Sequence, residues 1–125
     1  MARIFYSMSG EGRGHAARTR AIVEELRANH EIEIFAPGDA YDFLAPTYQN
    51  TDIPVHPIPF LRFYYDKHHR VNTWHTGIGA IKYLRRYPRL RAKLENYIRR
   101  KRPDLIITDF EPALPRAGKR CGVPF

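Results

Sequence analysis

Three glycines at alternate positions, then a histidine, form the segment Gly10-Glu11-Gly12-Arg13-Gly14-His15 near the start of the chain. It stands between the apolar run Ile4–Met8 and a stretch with helical periodicity. Glycine permits positive φ and lets a ligand come close to the backbone. Placed at a helix N-terminus, such a loop aims free N–H groups and the positive end of the helix dipole at one point, which is the chemistry of an anion site. A tight strand-to-helix turn also uses glycine, but three exceed what a turn requires. Two familiar phosphate loops do not fit. A Walker loop ends in Gly-Lys-Ser/Thr, whereas Gly14 is followed by His15-Ala16. A dinucleotide fingerprint needs a third glycine where His15 stands, and an acidic residue after the second strand where Phe35-Ala36-Pro37 stands. A nicotinamide enzyme is therefore not expected.

The elements that must carry this loop follow from periodicity. Arg3–Met8 reads as a strand, and Ala16–Ala28 as a helix with Ala17, Ala21, Ile22 and Leu26 on one face. Glu31–Phe35 alternates as a second strand. Ala36-Pro37-Gly38 is a turn, after which Asp39 caps a short helix through Leu44, stopped by Pro46. Ile53–Ile58 reads as a third strand, placed at a sheet edge by Pro54 and Pro57. Residues 59–72 read as a long loop rich in aromatic residues and histidine. Thr73 caps a helix carrying Trp74, Ile78, Ile81 and Leu84, and Pro88 restarts another with Leu90, Leu94, Tyr97 and Ile98 as its stripe. Pro103 ends it. Asp104–Thr108 is nearly unbroken in apolar character, as in a strand buried on both faces. A helix to about Arg120 follows, with Gly122 as its C-terminal cap, and Val123-Pro124-Phe125 reads as the start of another strand. Strands alternating with helices imply a parallel sheet wound on both sides. Its ligand crevice lies beyond the carboxyl ends of the strands, where the loops Gly10–His15 and Asp109–Glu111 both emerge.

Bulk properties set outer limits. The 125 residues suffice for one domain with one core, and the 43% hydrophobic content is that of a globular chain. No apolar run approaches the roughly 20 residues of a spanning helix, and charges interrupt every stretch that would serve as a signal-peptide core. One cysteine, Cys121, excludes an intrachain disulfide and fits a reducing compartment; a cytoplasmic location is expected. The net charge of +8 favours anionic partners, whether nucleic acid, phosphorylated ligands or an acidic membrane face.

The segment Gly10-x-Gly12-x-Gly14-His15-x-x-Arg18, directly after an N-terminal strand, resembles the first loop of GT-B glycosyltransferases. It is most similar to a bacterial and archaeal group that opens on Ser-Gly-Glu-Gly-x-Gly-His and is distantly related to the transferase that makes lipid II. Pro103-Asp104-Leu105-Ile106-Ile107-Thr108-Asp109-Phe110-Glu111-Pro112 resembles the fourth-strand segment of the same group. The resemblance implies a Rossmann-like α/β domain over residues 1–125, the N-terminal half of a GT-B fold. The strand that begins at Val123 then reads as unfinished, and the chain as a fragment without the donor-binding C-terminal domain, inactive when isolated. The implied activity is transfer of a hexosyl group from a nucleotide-sugar donor, held mostly by the missing domain, to an unidentified acceptor. No cofactor and no metal are implied.

In related glycosyltransferases a first-loop histidine acts as general base on the acceptor hydroxyl, and His15 occupies that place. An imidazole with an ordinary pKa of about 6.5 suits the task. Contact with a ligand anion is the alternative role. A carboxylate after the fourth strand can orient such a histidine; Asp109 matches, with Glu111 as substitute. Gly10, Glu11, Gly12, Arg13, Gly14, Arg18 and Glu111 complete the expected substrate- and anion-binding set. Arg18 fits an anionic acceptor group, Arg13 does the same or stays solvated, as Arg20 does, and the charge on Glu11 suits a sugar hydroxyl better than a phosphate.

Lys82–Arg102 holds ten Lys or Arg and one Glu. This is a solvated basic face, or one drawn to an anionic membrane surface, which would suit a lipid-linked acceptor and a place at the membrane periphery. Nucleic acid is disfavoured, because no RNA-binding signature is present. Phe60, Phe63, Tyr64, Tyr65, His68, His69 and Trp74 are shared between packing and sugar contact, and Asp66 with His68-His69 lacks a further ligand at metal spacing. The competing functions are a sugar-nucleotide epimerase of the same architecture and a basic module binding nucleic acid or phosphorylated ligands.

Overall fold

The computed structural model describes residues 1–59 and 67–125. Phe60, Phe63, Tyr64, Tyr65 and Asp66 lie outside the described residues. The elements run β1 (Arg3–Met8), α1 (Gly14–Leu26), β2 (Glu31–Pro37), α2 (Gly38–Thr47), β3 (Val55–Ile58), α3 (Thr73–Lys101), β4 (Leu105–Asp109) and α4 (Ala113–Arg120). The four strands form one parallel sheet in the order β3-β2-β1-β4. The chain is thus a Rossmann-like α/β domain, and β3, with Pro57 inside it, sits at the edge where a missing N–H is tolerated.

Alternation along the strands sorts the core into two layers. Ile4, Tyr6 and Met8 of β1 and Ile32, Ile34 and Ala36 of β2 face α1 and α2, meeting Ala16, Val23, Ala40 and Leu44. Phe5 and Phe35 face the other way, against Leu90, Leu94 and Ile98 of α3 and Leu114 and Ala117 of α4. A strand covered on both faces must be apolar at odd and even positions alike, which is why β1 and β2 are buried almost throughout.

α3 departs from expectation. It is one helix of 29 residues with Pro88 inside, not two helices meeting at Pro88. The ring removes one N–H from the ladder, but Asn72 caps the start through His75 N–H and the stripe Leu90, Leu94, Ile98 anchors the end. α2 likewise runs through Pro46 to Thr47. The segment after α4 is not assigned as strand, though Ile106 N–H donates to the Pro124 carbonyl at 2.9 Å, a bond on the outer side of β4.

Two buried carboxylates fix the second half of α3. Glu33 of β2 accepts from the Tyr97 hydroxyl at 2.5 Å and from His56 Nε2 at 2.8 Å, and Lys101 Nζ lies 4.0 Å away. Burial pushes the Glu33 carboxyl up, but the hydrogen bonds from His56 and Tyr97 and the charges of His56 and Lys101 together outweigh it and hold it below the usual range. The Tyr97 phenol is pushed up to about 12 by its own burial and by the bond to Glu33. Glu95 of α3 is met by Arg120 of α4 at 2.7 Å, with Arg99 at 3.7 Å and Arg91 at 3.8 Å.

Candidate functional site

The carboxyl ends of β1, β2 and β4 converge on the glycine loop. Ser9 N–H donates to the Asp109 carbonyl at 2.7 Å, so the exits of β1 and β4 are joined. Asp39 N–H donates to the Gly10 carbonyl at 3.1 Å, and Gly12 N–H donates to Asp39 Oδ2 at 3.2 Å, which joins the exit of β2 as well. With Pro37 as the N-cap of α2, the expectation that Asp39 caps this helix is corrected. It lies in the first turn of α2, and its carboxylate reaches across to the loop. The chain supplies its own anion to the Gly12 N–H. The pattern had a legible signal, an aspartate two residues past the end of β2 on the same sheet edge.

The three glycines answer to different demands. A Cβ on Gly10 would lie 2.5 Å from the Pro37 carbonyl oxygen, so no side chain fits between the loop and the end of β2. Gly12 has φ +70°, a conformation that L side chains rarely adopt. Gly14 opens α1, and a Cβ there would meet no atom within 4 Å. The first turn of α1 holds no acidic residue, and its N-cap, Arg13, makes no side-chain cap bond.

His15 and Asp109 are brought together. His15 Nδ1 lies 2.9 Å from Asp109 Oδ2, with His15 partly exposed and Asp109 largely buried. The same oxygen is 3.4 Å from an Arg18 guanidinium nitrogen whose side chain is mostly in solvent. The backbone of His15 is itself fixed, because the Thr19 hydroxyl donates to its carbonyl at 2.8 Å. Beneath the pair, burial pushes the Tyr6 phenol up; Thr19 and Arg18 pull it down and the charge of Asp109 adds to the rise. An aspartate that accepts from Nδ1–H favours the tautomer whose Nε2 carries the lone pair.

The other expected site residues are distributed as follows. Glu11 stays in the loop, half-buried, with its N–H 3.4 Å from the Ser9 hydroxyl, and Arg13 is exposed. Glu111 does not share the position of Asp109. It is 4% exposed, and its carboxylate accepts from the N–H groups of Ala113 at 2.8 Å and Leu114 at 3.0 Å, capping α4. Burial pushes the Glu111 carboxyl above the usual range, and the bonds from Leu114, Ala113 and Ser7 only partly offset this. Between the two acids, Phe110 adopts φ +62° and is 85% exposed, its ring 5.9 Å from the His15 ring and edge-on to it. In the sequence Phe110 is marked only as one position of the Pro103–Pro112 segment.

Two cavities lie away from this pair. One of about 670 Å³ is lined by α2 and β3 residues including Tyr41, Pro46 and Val55. The other, about 560 Å³, lies between β3 and α3 and is lined by Ile58, Leu90 and Tyr97 with Arg86, Arg89 and Lys93. Among the described residues no three His, Cys, Asp or Glu side chains gather as a metal site, and no helix is long and apolar enough to cross a membrane.

A family model described as glycosyl transferase family 1 matches residues 2–125. The crystal structure of Acinetobacter baumannii MurG superposes with a TM-score of 0.66 at 14% identity, covering 99% of this chain and 34% of that one. The chain thus spans about a third of the length of that structure, with which it shares the fold of a GT-B N-terminal domain. No curated protein matches.

Proposed function

The chain belongs to glycosyl transferase family 1, and we propose that it forms the acceptor-binding side of a two-domain glycosyltransferase whose second domain holds most of the nucleotide-sugar. The observation that carries this reading is the 2.9 Å contact of His15 Nδ1 with Asp109 at the sheet edge. In the proposed reaction Nε2 of His15 takes the proton of the acceptor hydroxyl as its oxygen bonds to the anomeric carbon of the donor. The bond from that carbon to the diphosphate oxygen breaks, and the nucleoside diphosphate leaves with the electron pair. Asp109 holds the ring in orientation and balances its positive charge. Arg18, exposed beside Asp109, is placed to meet an anionic group of the acceptor.

The first half of α3 supports a lipid-linked acceptor. Trp74, Ile81 and Leu84 stand in solvent beside Lys82, Arg85, Arg86 and Arg89. Exposed apolar residues interleaved with cations are the pattern of a helix resting on an anionic membrane surface. The protein would then work at the membrane periphery.

The test is His15→Ala in the complete reading frame that contains this chain, assayed against a panel of nucleotide-sugars. General-base catalysis contributes about 10²- to 10⁴-fold, and a loss of turnover in that range is expected with the acceptor KM little changed. Unaltered turnover would remove His15 from the mechanism.

A further inference from the structure

Phe110 breaks two rules of a stable fold at once. It is an aromatic residue at φ +62°, a region that a side chain with a Cβ enters at a cost. It also holds its ring 85% in water. Neither is needed for folding, since glycine would adopt this turn without strain and a polar residue would be better solvated. The structure nevertheless clamps the turn from both sides. The Thr108 hydroxyl donates to the Glu111 carbonyl at 2.7 Å and accepts from Glu111 N–H at 3.3 Å, closing a loop around Phe110. Glu111 is anchored in turn by its buried carboxylate on Ala113 and Leu114 N–H. Strain that the surroundings over-determine is characteristic of functional positions.

The clamp sets the ring beside the proton-transfer pair. Phe110 stands edge-on to His15 and next in sequence to Asp109, which the exposed Arg18 meets at 3.4 Å. The other exposed large apolar residues among those described, Val71, Trp74, Ile78, Ile81, Leu84, Met1 and Phe125, lie on the first half of α3, just before it, or at the first and last residues. Phe110 thus stands apart in sequence from the other exposed apolar residues described, beside the pairing of Asp109 with His15 and Arg18. Interface cores between proteins are depleted of charge, so its surroundings do not match a protein-docking patch. A flat apolar ring flanked by groups that exchange hydrogen bonds matches one class of small ligand, a pyranose, whose ring has an apolar C–H face and a rim of hydroxyls.

We propose that Phe110 is the acceptor platform: the apolar face of a pyranoside stacks on the Phe110 ring, which directs one of its hydroxyls toward His15. This rests on the acceptor-side reading above and narrows the acceptor to a glycoside. It makes Phe110 a substrate-contacting residue, with Thr108 and Glu111 as positioning residues behind it.

The test uses the labelled 125-residue chain and NMR titration with methyl β-D-glucopyranoside, methyl N-acetyl-β-D-glucosaminide and methyl α-D-mannopyranoside. At least one glycoside should shift the Phe110 and His15 ring signals, with ring-current shifts on its own C–H face. Phe110→Ala should weaken that binding by about fivefold or more, and Phe110→Trp should restore it. Phe110→Gly should also lose binding while raising Tm, which separates loss of the platform from loss of the fold. The proposal is overturned if no glycoside perturbs Phe110 up to its solubility limit, if Phe110→Ala binds as wild type does, or if UDP perturbs Phe110 where the glycosides do not. In the complete enzyme, Phe110→Ala should lower kcat/KM for the acceptor about fivefold or more; an unchanged kcat/KM alongside normal transfer would sink the platform alone. Absence of any transfer would instead sink the transferase reading and leave the glycoside titration to stand by itself.

Discussion

Trp74, Ile78, Ile81 and Leu84 on the first half of α3 recur at the same three-to-four-residue spacing as Leu90, Leu94 and Ile98 on the second. The former are between 39% and 74% exposed, the latter 7% or less. One helix therefore carries two apolar stripes with opposite fates. The second half lies over Phe5, Phe35 and Ile106 and is tied down by Glu33 and Glu95. Residues 73–94 contain no acidic residue at all, so the first half brings cations and apolar groups without any carboxylate of its own. Helical spacing reports that a face is apolar; what covers the face depends on the surface opposite it.

Substitutions on the two halves should separate them. Leu94→Ala opens a cavity in the packed half and is expected to cost about 2–5 kcal/mol, measured by chemical denaturation. Glu33→Gln should cost about 1.5–3 kcal/mol at neutral pH, because a charged acceptor for Tyr97 and His56 is lost. Its pH dependence has a definite sign. Burial raises the Glu33 carboxyl, but its partners lower it further, so the folded state binds the proton less readily than the unfolded chain. The stabilisation is then complete above the unfolded value of about 4.3 and fades as pH falls through the folded value. Denaturation curves of wild type and Glu33→Gln should converge in acid; a constant gap would assign the effect to packing alone. Smallest in stability is the double variant Ile81→Ser/Leu84→Ser, expected to stay within about 0.5 kcal/mol of wild type. It should nonetheless lose binding to phosphatidylserine vesicles in co-sedimentation. A large destabilisation would place that stripe in a core, and unchanged sedimentation would detach it from membranes.

Much of this molecule was legible residue by residue. β1 is legible from its apolar run and β2 from its alternation, and Pro57 marks β3 as an edge; β4 has the apolar run of a strand buried on both faces, yet only Ile106 of it is buried, because β4 ends the strand order of the described sheet. The glycine loop and Asp109 were placed on one sheet edge by parallel topology alone, which puts every βα loop on the same side. What escaped were relations that spacing does not encode. Pro88 predicts a helix break, yet one lost hydrogen bond does not outweigh a helix anchored at both ends. Glu111 and Asp109 are equivalent on paper; one turns under α4 and the other meets His15 because Phe110 between them takes a left-handed turn. The bond from Gly12 to Asp39, and the contacts of Glu33 with His56 and Tyr97, join residues far apart in sequence and have no local signature.

The stapling of three strand exits at the glycine loop carries a thermodynamic consequence. Fixing a backbone residue costs about 1–2 kcal/mol in conformational entropy. Ser9, Gly10 and Gly12 are held by Asp109, Asp39 and the closeness of Pro37 in the unliganded chain, so that cost is met during folding. A ligand reaching the crevice encounters a surface that is already shaped, and little of its contact energy is diverted into ordering this loop.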